Sequence, residues 1–136
     1  STLDVDPTTQ QCAQVSIPMP KSWNRGPVTV VPIWSHPATT TNFGVVWSLQ
    51  AVAVSNNDAI AVAYGTGQTS TDTGGVTNSL YMGPESAAIT IAGNPAAEDV
   101  VFFRISVVPG GATTIAVKPR LHAVVVYITT NAPTDA

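Results

Sequence analysis

Apolar and polar residues alternate with a period of two along several short stretches of the chain. The alternation is strongest over residues 43–55 and 99–107. Successive side chains of a β-strand point to opposite faces, so every second residue of each stretch lies on the same face of a sheet. The apolar faces of these two strands predict a core that contains Val45, Trp47, Leu49, Val101, Phe103 and Ile105.

Shorter runs that are rich in Val, Ile, Thr and aromatic residues predict further strands. These runs are residues 11–17, 28–35, 68–71, 80–82, 87–92, 114–117 and 121–129. Residues 59–64 fit either a short strand or a helical turn. In the last run, unbroken alternation places His122 on the opposite face from Leu121, Ala123 and Val125.

Turn-forming residues separate the runs, and helical periodicity is nearly absent. Eleven Pro and ten Gly fall between short runs of strand-forming residues, as the connections of a sheet require. Many short strands with frequent turns are typical of a β-sandwich or a barrel. The sequence therefore predicts an all-β fold, a jelly-roll-like antiparallel β-sandwich of about eight strands.

The chain is long enough for one domain, with 136 residues. We expect residues 11–130 to form the sandwich, residues 1–10 an N-terminal arm and residues 131–136 a polar C-terminal tail. Within the arm, Leu3 and Val5 alternate with Asp4 and Asp6. This pattern predicts that the arm is ordered by a neighbouring molecule, as an added strand, and not by its own domain.

The charge content is low for a globular domain. Charged residues make up 10% of the chain, against about 25% in ordinary soluble domains. Hydroxyl and amide side chains keep proteins apart less well than charges do, so we expect much of the surface to be covered in an assembly. The net charge of −3 and five scattered basic residues do not fit a nucleic-acid partner. No apolar run approaches a membrane-spanning helix, so membrane insertion is not expected.

No group of residues in the sequence marks a catalytic centre. Two His residues and a single Cys, Cys12, are too few and too far apart for a typical zinc motif. No Gly-x-Ser-x-Gly sequence marks a serine nucleophile. The close acidic pairs, Asp4 with Asp6 and Glu98 with Asp99, fit solvated arm and turn positions better than glycoside hydrolysis. We therefore expect no enzyme activity, no catalytic residue, no cofactor and no bound metal.

Five apolar and aromatic residues are the candidates for contacts with other molecules. They are Leu3, Val5, Trp23, Trp34 and Tyr81. Leu3 and Val5 belong to the arm, Trp23 lies in a loop, and Trp34 and Tyr81 lie near strand ends. Aromatic side chains in such places pack across a subunit interface or stack on a sugar, and both interpretations stay open here.

Several segments together resemble a domain of bacteriophage virion proteins. They are Pro18-Met19-Pro20-Lys21-Ser22-Trp23, Trp34-Ser35-His36, residues 39–47 (Thr-Thr-Thr-Asn-Phe-Gly-Val-Val-Trp), Thr71-Asp72-Thr73-Gly74-Gly75, residues 89–93 (Ile-Thr-Ile-Ala-Gly) and residues 120–124 (Arg-Leu-His-Ala-Val). The resemblance extends from about residue 11 to residue 130. One departure is Lys118-Pro119-Arg120-Leu121, where the resemblance would lead us to expect Asp-Ala-Arg-Leu.

The resemblance implies a non-enzymatic structural protein of the virion, of the tail-fibre, head-fibre or capsid-decoration type. It also implies a homotrimer, or a multiple of three, that contacts other virion proteins. The alternative is a lectin-like module of a phage fibre that binds a receptor or glycan on the host surface, which the Trp23 loop and the Thr-rich loops favour.

Overall fold

The computed structural model describes residues 3–38 and 42–131. Ser1, Thr2, the loop residues 39–41 and residues 132–136 of the expected tail lie outside the described residues. The described chain forms eight strands: β1 (Leu3–Asp4), β2 (Cys12–Pro18), β3 (Thr29–Ser35), β4 (Phe43–Val54), β5 (Gln68–Gly74), β6 (Tyr81–Met82), β7 (Val100–Val107) and β8 (Arg120–Tyr127). Within these ranges no helix is long and apolar enough to cross a membrane.

The strands form two antiparallel four-stranded sheets. One sheet has the order β1-β8-β3-β6, and the other has the order β2-β7-β4-β5. Along the chain the pairs are nested, because β4 pairs with β5, β3 with β6, β2 with β7 and β1 with β8. This pattern is that of one long hairpin rolled into a sandwich, which is a jelly roll. The predicted all-β sandwich is confirmed.

The core lies between the two sheets and follows the alternation of the sequence. All six predicted core residues, Trp47 among them, are buried. Trp34 lies beside them, and neither tryptophan has exposed surface. The two indole rings contact each other in a tilted arrangement, with their centroids 6.1 Å apart. Offset and tilted aromatic pairs add to the stability that burial of their area provides. The two strongest strands therefore define the core as predicted.

The N-terminal segment is part of the sandwich, so the prediction that a neighbouring molecule orders it is wrong for its described residues. Leu3 and Asp4 lie opposite Leu121 and Arg120 in the pairing of β1 with β8. The backbone N–H of Val5 donates to the carbonyl oxygen of Pro119 at 2.9 Å. Val5 is only 2% exposed. The physical reason is that Val5 finds a place in the core of its own domain, which offsets the cost of ordering the segment.

A β-bulge in β8 changes which residues face the core. Ile33 of β3 lies opposite Ala123, but the next residue, Trp34, lies opposite Leu121. His122 is therefore the extra residue of a bulge. After it, the side chains that face the core are shifted by one position along β8. Val124 and Val126 pack against the core instead of Ala123 and Val125.

Three segments form no strand, although two of them were predicted as strands and residues 59–64 as a strand or a helical turn. Residues 59–64, 87–92 and 114–117 form loops that contain at most isolated bridges, such as the one between Ile89 and Val28. Ile89 and Ile115 nevertheless belong to the core. Loops that close the ends of a sandwich also alternate inward and outward side chains, so period-two alternation alone does not distinguish them from strands.

Candidate functional site

Three of the five candidate contact residues lie inside the domain. Val5, Trp23 and Trp34 are at most 2% exposed, so they support the fold and do not present a surface to a partner. The Trp23 indole lies in the loop that bridges to Thr130. Leu3 and Tyr81 retain exposed surface. Alternation and loop position did not predict the burial of Val5, Trp23 and Trp34, because burial in a sandwich depends on which loops fold over the ends of the sheets.

Tyr81 belongs to an aromatic cluster at one end of the sandwich. Its ring stacks on Trp34 and on His36, with centroid distances of 5.0 and 5.7 Å. The ring of Phe43 meets His36 edge-on at 4.6 Å. The indole N–H of Trp34 donates to Oδ2 of Asp72 at 3.0 Å. These contacts fix the Tyr81 ring in place, so only its outer side is available to solvent.

His36 is a buried titratable group within this cluster. The backbone N–H of Gly75 donates to Nε2 of His36 at 3.2 Å, so the neutral ring carries its proton on Nδ1. Nδ1 has no hydrogen-bond partner among the described residues. Burial lowers the pKa of His36, because it disfavours the charged imidazolium. The ring is therefore a neutral part of the core under ordinary conditions.

A serine and a histidine lie close together on the first sheet. The hydroxyl oxygen of Ser35 and Nε2 of the bulged His122 are 2.7 Å apart. A serine hydrolase also requires a carboxylate that orients the imidazole and donors that stabilise an oxyanion. No described carboxylate makes a hydrogen bond to His122, and its side chain is exposed. The contact accounts for how the bulge is held against β3.

Two further acidic residues, Asp99 and Asp4, have structural partners. Asp99 accepts hydrogen bonds from the Ser55 hydroxyl at 2.6 Å and from the Ala96 backbone at 2.7 Å. Arg120 and Asp4 form an exposed ion pair at 3.2 Å. No cluster of three or more His, Cys, Asp or Glu residues is found within residues 3–38 and 42–131. The carboxylates of Asp99 and Asp4 therefore support the fold.

Apolar surface, in contrast, is exposed at two sides of the molecule. Beside the short strand β6, the side chains of Val76, Leu80 and Met82 are each more than half exposed. We call these three residues the β6 patch. The second apolar region lies at the opposite edge of the same sheet, where β1 borders β8. Contiguous apolar surface of this kind marks an interaction site more often than scattered single residues do.

At that second edge, β1 is the neighbour of β8. Among the residues that the structure describes, Leu3 and Asp4 pair with this side of β8, at Leu121 and Arg120. From His122 to Tyr127, no described residue pairs with the side of β8 that faces away from β3. We call this side the open edge of β8. It contains no Asp, Glu, Lys, Arg or Pro, and natural proteins often protect exposed edges with such residues.

A groove runs beside the open edge, between the two sheets. Its volume is about 370 Å³, and β1, β2, β7 and β8 all contribute to its walls. Leu3, Val15 and Val124 are among its apolar lining residues. Ala13 and Val124 are only partly buried against the core. The sandwich is thus incompletely closed here, and this groove with the open edge is the candidate functional site.

The geometry suits the binding of an extended peptide segment. Unpaired backbone N–H and C=O groups of β8 can form a ladder with one more strand, while the groove receives alternate apolar side chains. Sequence reasoning missed this site. The signal was present in the uncharged run from Leu121 to Thr130, but only the strand pairing shows that no described residue pairs with one side of β8 from His122 to Tyr127.

Comparison with models of known protein families finds no match to the chain. No match was found among curated proteins. The search of solved structures likewise gives no match. The proposed function therefore rests on the topology and on the candidate site.

Proposed function

We propose that this chain is a non-enzymatic structural component of a bacteriophage virion, either a capsid decoration protein or a module of a fibre or other appendage. The observation that carries the proposal is the open edge of β8 with its apolar groove. A strand edge without charges and an unsealed core are suited to being covered by another protein. Jelly rolls are common among viral capsid proteins, so the topology is consistent with this role.

The composition supports the same proposal. Charged residues make up only 10% of the chain, and apolar side chains are exposed at the β6 patch and at Leu3 and Val15. A domain with so few charges and several apolar surfaces associates readily. In this proposal the partners are further copies of the chain, as a homotrimer or a multiple of three, together with other virion proteins.

Most of the aromatic residues that were candidates for glycan contact are not accessible on the surface. The glycan-binding alternative was favoured by the Trp23 loop and the Thr-rich loops, but the Trp23 indole is buried, and so is that of Trp34, another aromatic contact candidate. Tyr81 is the remaining candidate, with one side of its ring held against Trp34 and His36. A single aromatic side chain is a small stacking platform, so the structural role is the better-supported proposal.

The proposal is tested on purified virions of the phage that encodes the chain. An antibody raised against the purified domain is used to label particles for electron microscopy after density-gradient purification. We expect regular labelling at one location of the particle, and mass spectrometry should find the chain in the same fraction. If the chain is abundant in infected cells but absent from purified particles, the proposal is wrong.

A further inference from the structure

The outer face of the sheet formed by β2, β7, β4 and β5 carries a single charged side chain among its strand residues. In β7, Phe103 and Ile105 are buried in the core, so Arg104 points to the opposite face. The strand register places Gln14 of β2 on one side of Arg104 and Gln50 of β4 on the other. By the same alternation, the other outward residues of these four strands are uncharged. We call Gln14, Arg104 and Gln50 the Arg104 row.

Two contacts hold the guanidinium of Arg104 in one orientation. Its Nε–H donates to Oε1 of Gln50 at 2.8 Å. The ring of Tyr64, from the connection between β4 and β5, has its centroid 4.4 Å from the guanidinium carbon, which is a cation–π contact. Gln50 also donates to the carbonyl oxygen of Gly65 at 3.1 Å, so it holds the residue next to Tyr64. A long side chain that is already ordered loses less entropy when a partner binds.

The terminal nitrogens of Arg104 have no acceptor within the part of the chain that the structure describes. Only Gln50 accepts a hydrogen bond from this side chain there, although a guanidinium has five N–H donors. Arg104 forms no ion pair with a described acidic residue, in contrast to Arg120, which pairs with Asp4. Because Gln50 occupies the Nε side, a bidentate carboxylate must approach the end of the guanidinium and accept from both terminal nitrogens.

The charge and the shape of this surface favour a carboxylate on a protein. Phosphate groups carry more charge than a carboxylate and are usually bound by clusters of Arg residues, whereas the Arg104 row offers one cation. Arg104 lines neither the groove beside β8 nor the cleft next to Thr90, and small ligands usually bind in concave sites. Arg and Tyr are enriched among the residues that contribute most to protein–protein interfaces.

The acidic residues of the chain itself are poor candidates for this contact in a second copy. Most of those that the structure describes already bind within their own molecule, namely Asp4, Asp6, Asp58, Asp72, Glu85 and Asp99. A carboxylate that must give up such a bond gains less from Arg104 than one that is available in solution. The partner with the better match is therefore a different protein.

We propose that the Arg104 row docks an acidic segment of a different protein, in which an Asp or Glu carboxylate binds end-on to the two terminal nitrogens of Arg104. Gln14 is exposed, so its amide is available for a hydrogen bond to the backbone of the same segment. The surface is separate from the open edge of β8 and its groove. The inference therefore goes beyond the proposed structural role, and it holds whether or not the chain belongs to a virion.

The experiment titrates the isotope-labelled full chain with the peptide Thr-Val-Glu-Val-Thr, blocked at both ends, and records NMR spectra. The same peptide with Gln in place of Glu is the neutral reference. We expect the Glu peptide to shift the Nε–H signal of Arg104 and the amide signal of Tyr64 in a saturable way. Its dissociation constant should lie in the millimolar range, about 1–10 mM, as for a single charged contact. The Gln peptide should bind at least about tenfold more weakly.

Three variants assign the binding to the guanidinium. Arg104→Gln should weaken binding of the Glu peptide at least about tenfold, because it removes the charge and both terminal donors. Arg104→Lys retains the charge but not the paired donors, so its affinity should lie between those of Arg104→Gln and the wild type. Arg25→Gln is the matched control, since it removes one positive charge from an exposed loop, and it should leave the affinity unchanged.

Circular dichroism checks that each variant is folded. If Arg104→Gln is not, Tyr64→Leu replaces it, because loss of the ring releases the guanidinium and should weaken binding at least about twofold. The proposal is overturned if the Glu and Gln peptides bind equally, or if Arg25→Gln weakens binding as much as Arg104→Gln does. Glucuronic acid that binds more tightly than the Glu peptide would make the ligand an acidic sugar instead. Self-association of the wild type that Arg104→Gln abolishes would make the partner a second copy, which also contradicts the proposal.

Discussion

The backbone of Gly44 lies directly beneath the carbonyl oxygen of Ala112. A β-carbon at position 44 would stand 2.2 Å from that oxygen, which is far inside van der Waals contact. The loop that contains Ala112 is held against β4 by further contacts, because the Gly44 carbonyl accepts from the backbone N–H of Thr114 at 3.0 Å. This close approach fixes the loop between β7 and β8 over the start of β4.

Gly44→Ala should therefore destabilise the domain. The added methyl group meets rigid backbone, and overpacking of this kind costs about 1–3 kcal/mol. Gly67→Ala is the matched control, because a β-carbon there meets the flexible side chains of Gln50 and Ser48 at 3.0 and 3.1 Å. Urea unfolding of both variants measures the difference. Equal losses in the two variants would show that the Ala112 loop moves away easily.

Val5 should contribute to stability although it lies close to the N-terminus. Val5→Ala removes two methyl groups from the core, and full burial of a Val side chain is worth about 1.5–3 kcal/mol. We expect a loss of up to about that size for Val5→Ala, and a smaller loss for Leu3→Ala, since Leu3 is 46% exposed. Thermal unfolding of the two variants tests this order. A loss for Leu3→Ala that matches or exceeds that for Val5→Ala would contradict it.

Trp47 should be among the most costly residues to truncate. It lies on the core face of β4, without exposed surface, and packs against Trp34. Trp47→Ala should lower the free energy of unfolding by about 3–5 kcal/mol. Val76→Ala, in the β6 patch, should change it by less than about 0.5 kcal/mol. Denaturant titration followed by circular dichroism gives both values, and a surface-like loss at Trp47 would contradict the core assignment.

The buried His36 should make stability fall in mild acid. In the unfolded chain its pKa returns to the ordinary value of 6.5, and in the folded domain burial holds the pKa lower. Between the two values the unfolded state binds more protons, so stability is complete above pH 6.5 and declines as the pH falls towards the folded pKa. The urea midpoint should therefore be lower at pH 5.5 than at pH 7.5, a range in which exposed carboxylates remain ionised.

Two variants assign this pH dependence to one residue. His36→Phe keeps a ring in the aromatic cluster but cannot be protonated, so its urea midpoint should change less with pH than that of the wild type. His122→Gln should retain the wild-type dependence, because His122 is exposed. The assignment is wrong if the pH dependence disappears in His122→Gln and persists in His36→Phe.

The sequence predicted the parts of the fold that depend on alternation within long strands. Val45, Trp47 and Leu49 were placed in the core because β4 alternates strictly over much of its length. Ile89 and Ile115 show where this reasoning fails, since they reach the core from loops. The bulge at His122 could not be predicted from the sequence either, because the extra residue is defined only by the pairing of β8 with its partner strand β3.

The candidate site was harder to predict than the fold. The open edge of β8 is defined by which described residues pair with that strand, and such pairing joins parts of the chain that are far apart in sequence. Aromatic residues in loops suggested a binding surface, but Trp23 and Trp34 fill the interior. The contact surface instead consists of backbone groups and aliphatic side chains, which carry little signal in a sequence.

The nested pairing of the strands also restricts when the domain can fold during its synthesis. Only β4 and β5 join neighbouring parts of the chain, whereas β3 with β6, β2 with β7 and β1 with β8 join parts that are progressively farther apart. Loop closure becomes more costly with length, so pairing is expected to proceed outward from the β4–β5 hairpin. The first three strands therefore leave the ribosome well before their partners. The pairing of β1 and β3 with β8 can form only after β8 has been synthesised. We expect the chain to complete its fold only after translation of β8, which makes nascent chains dependent on protection of their apolar N-terminal strands until then.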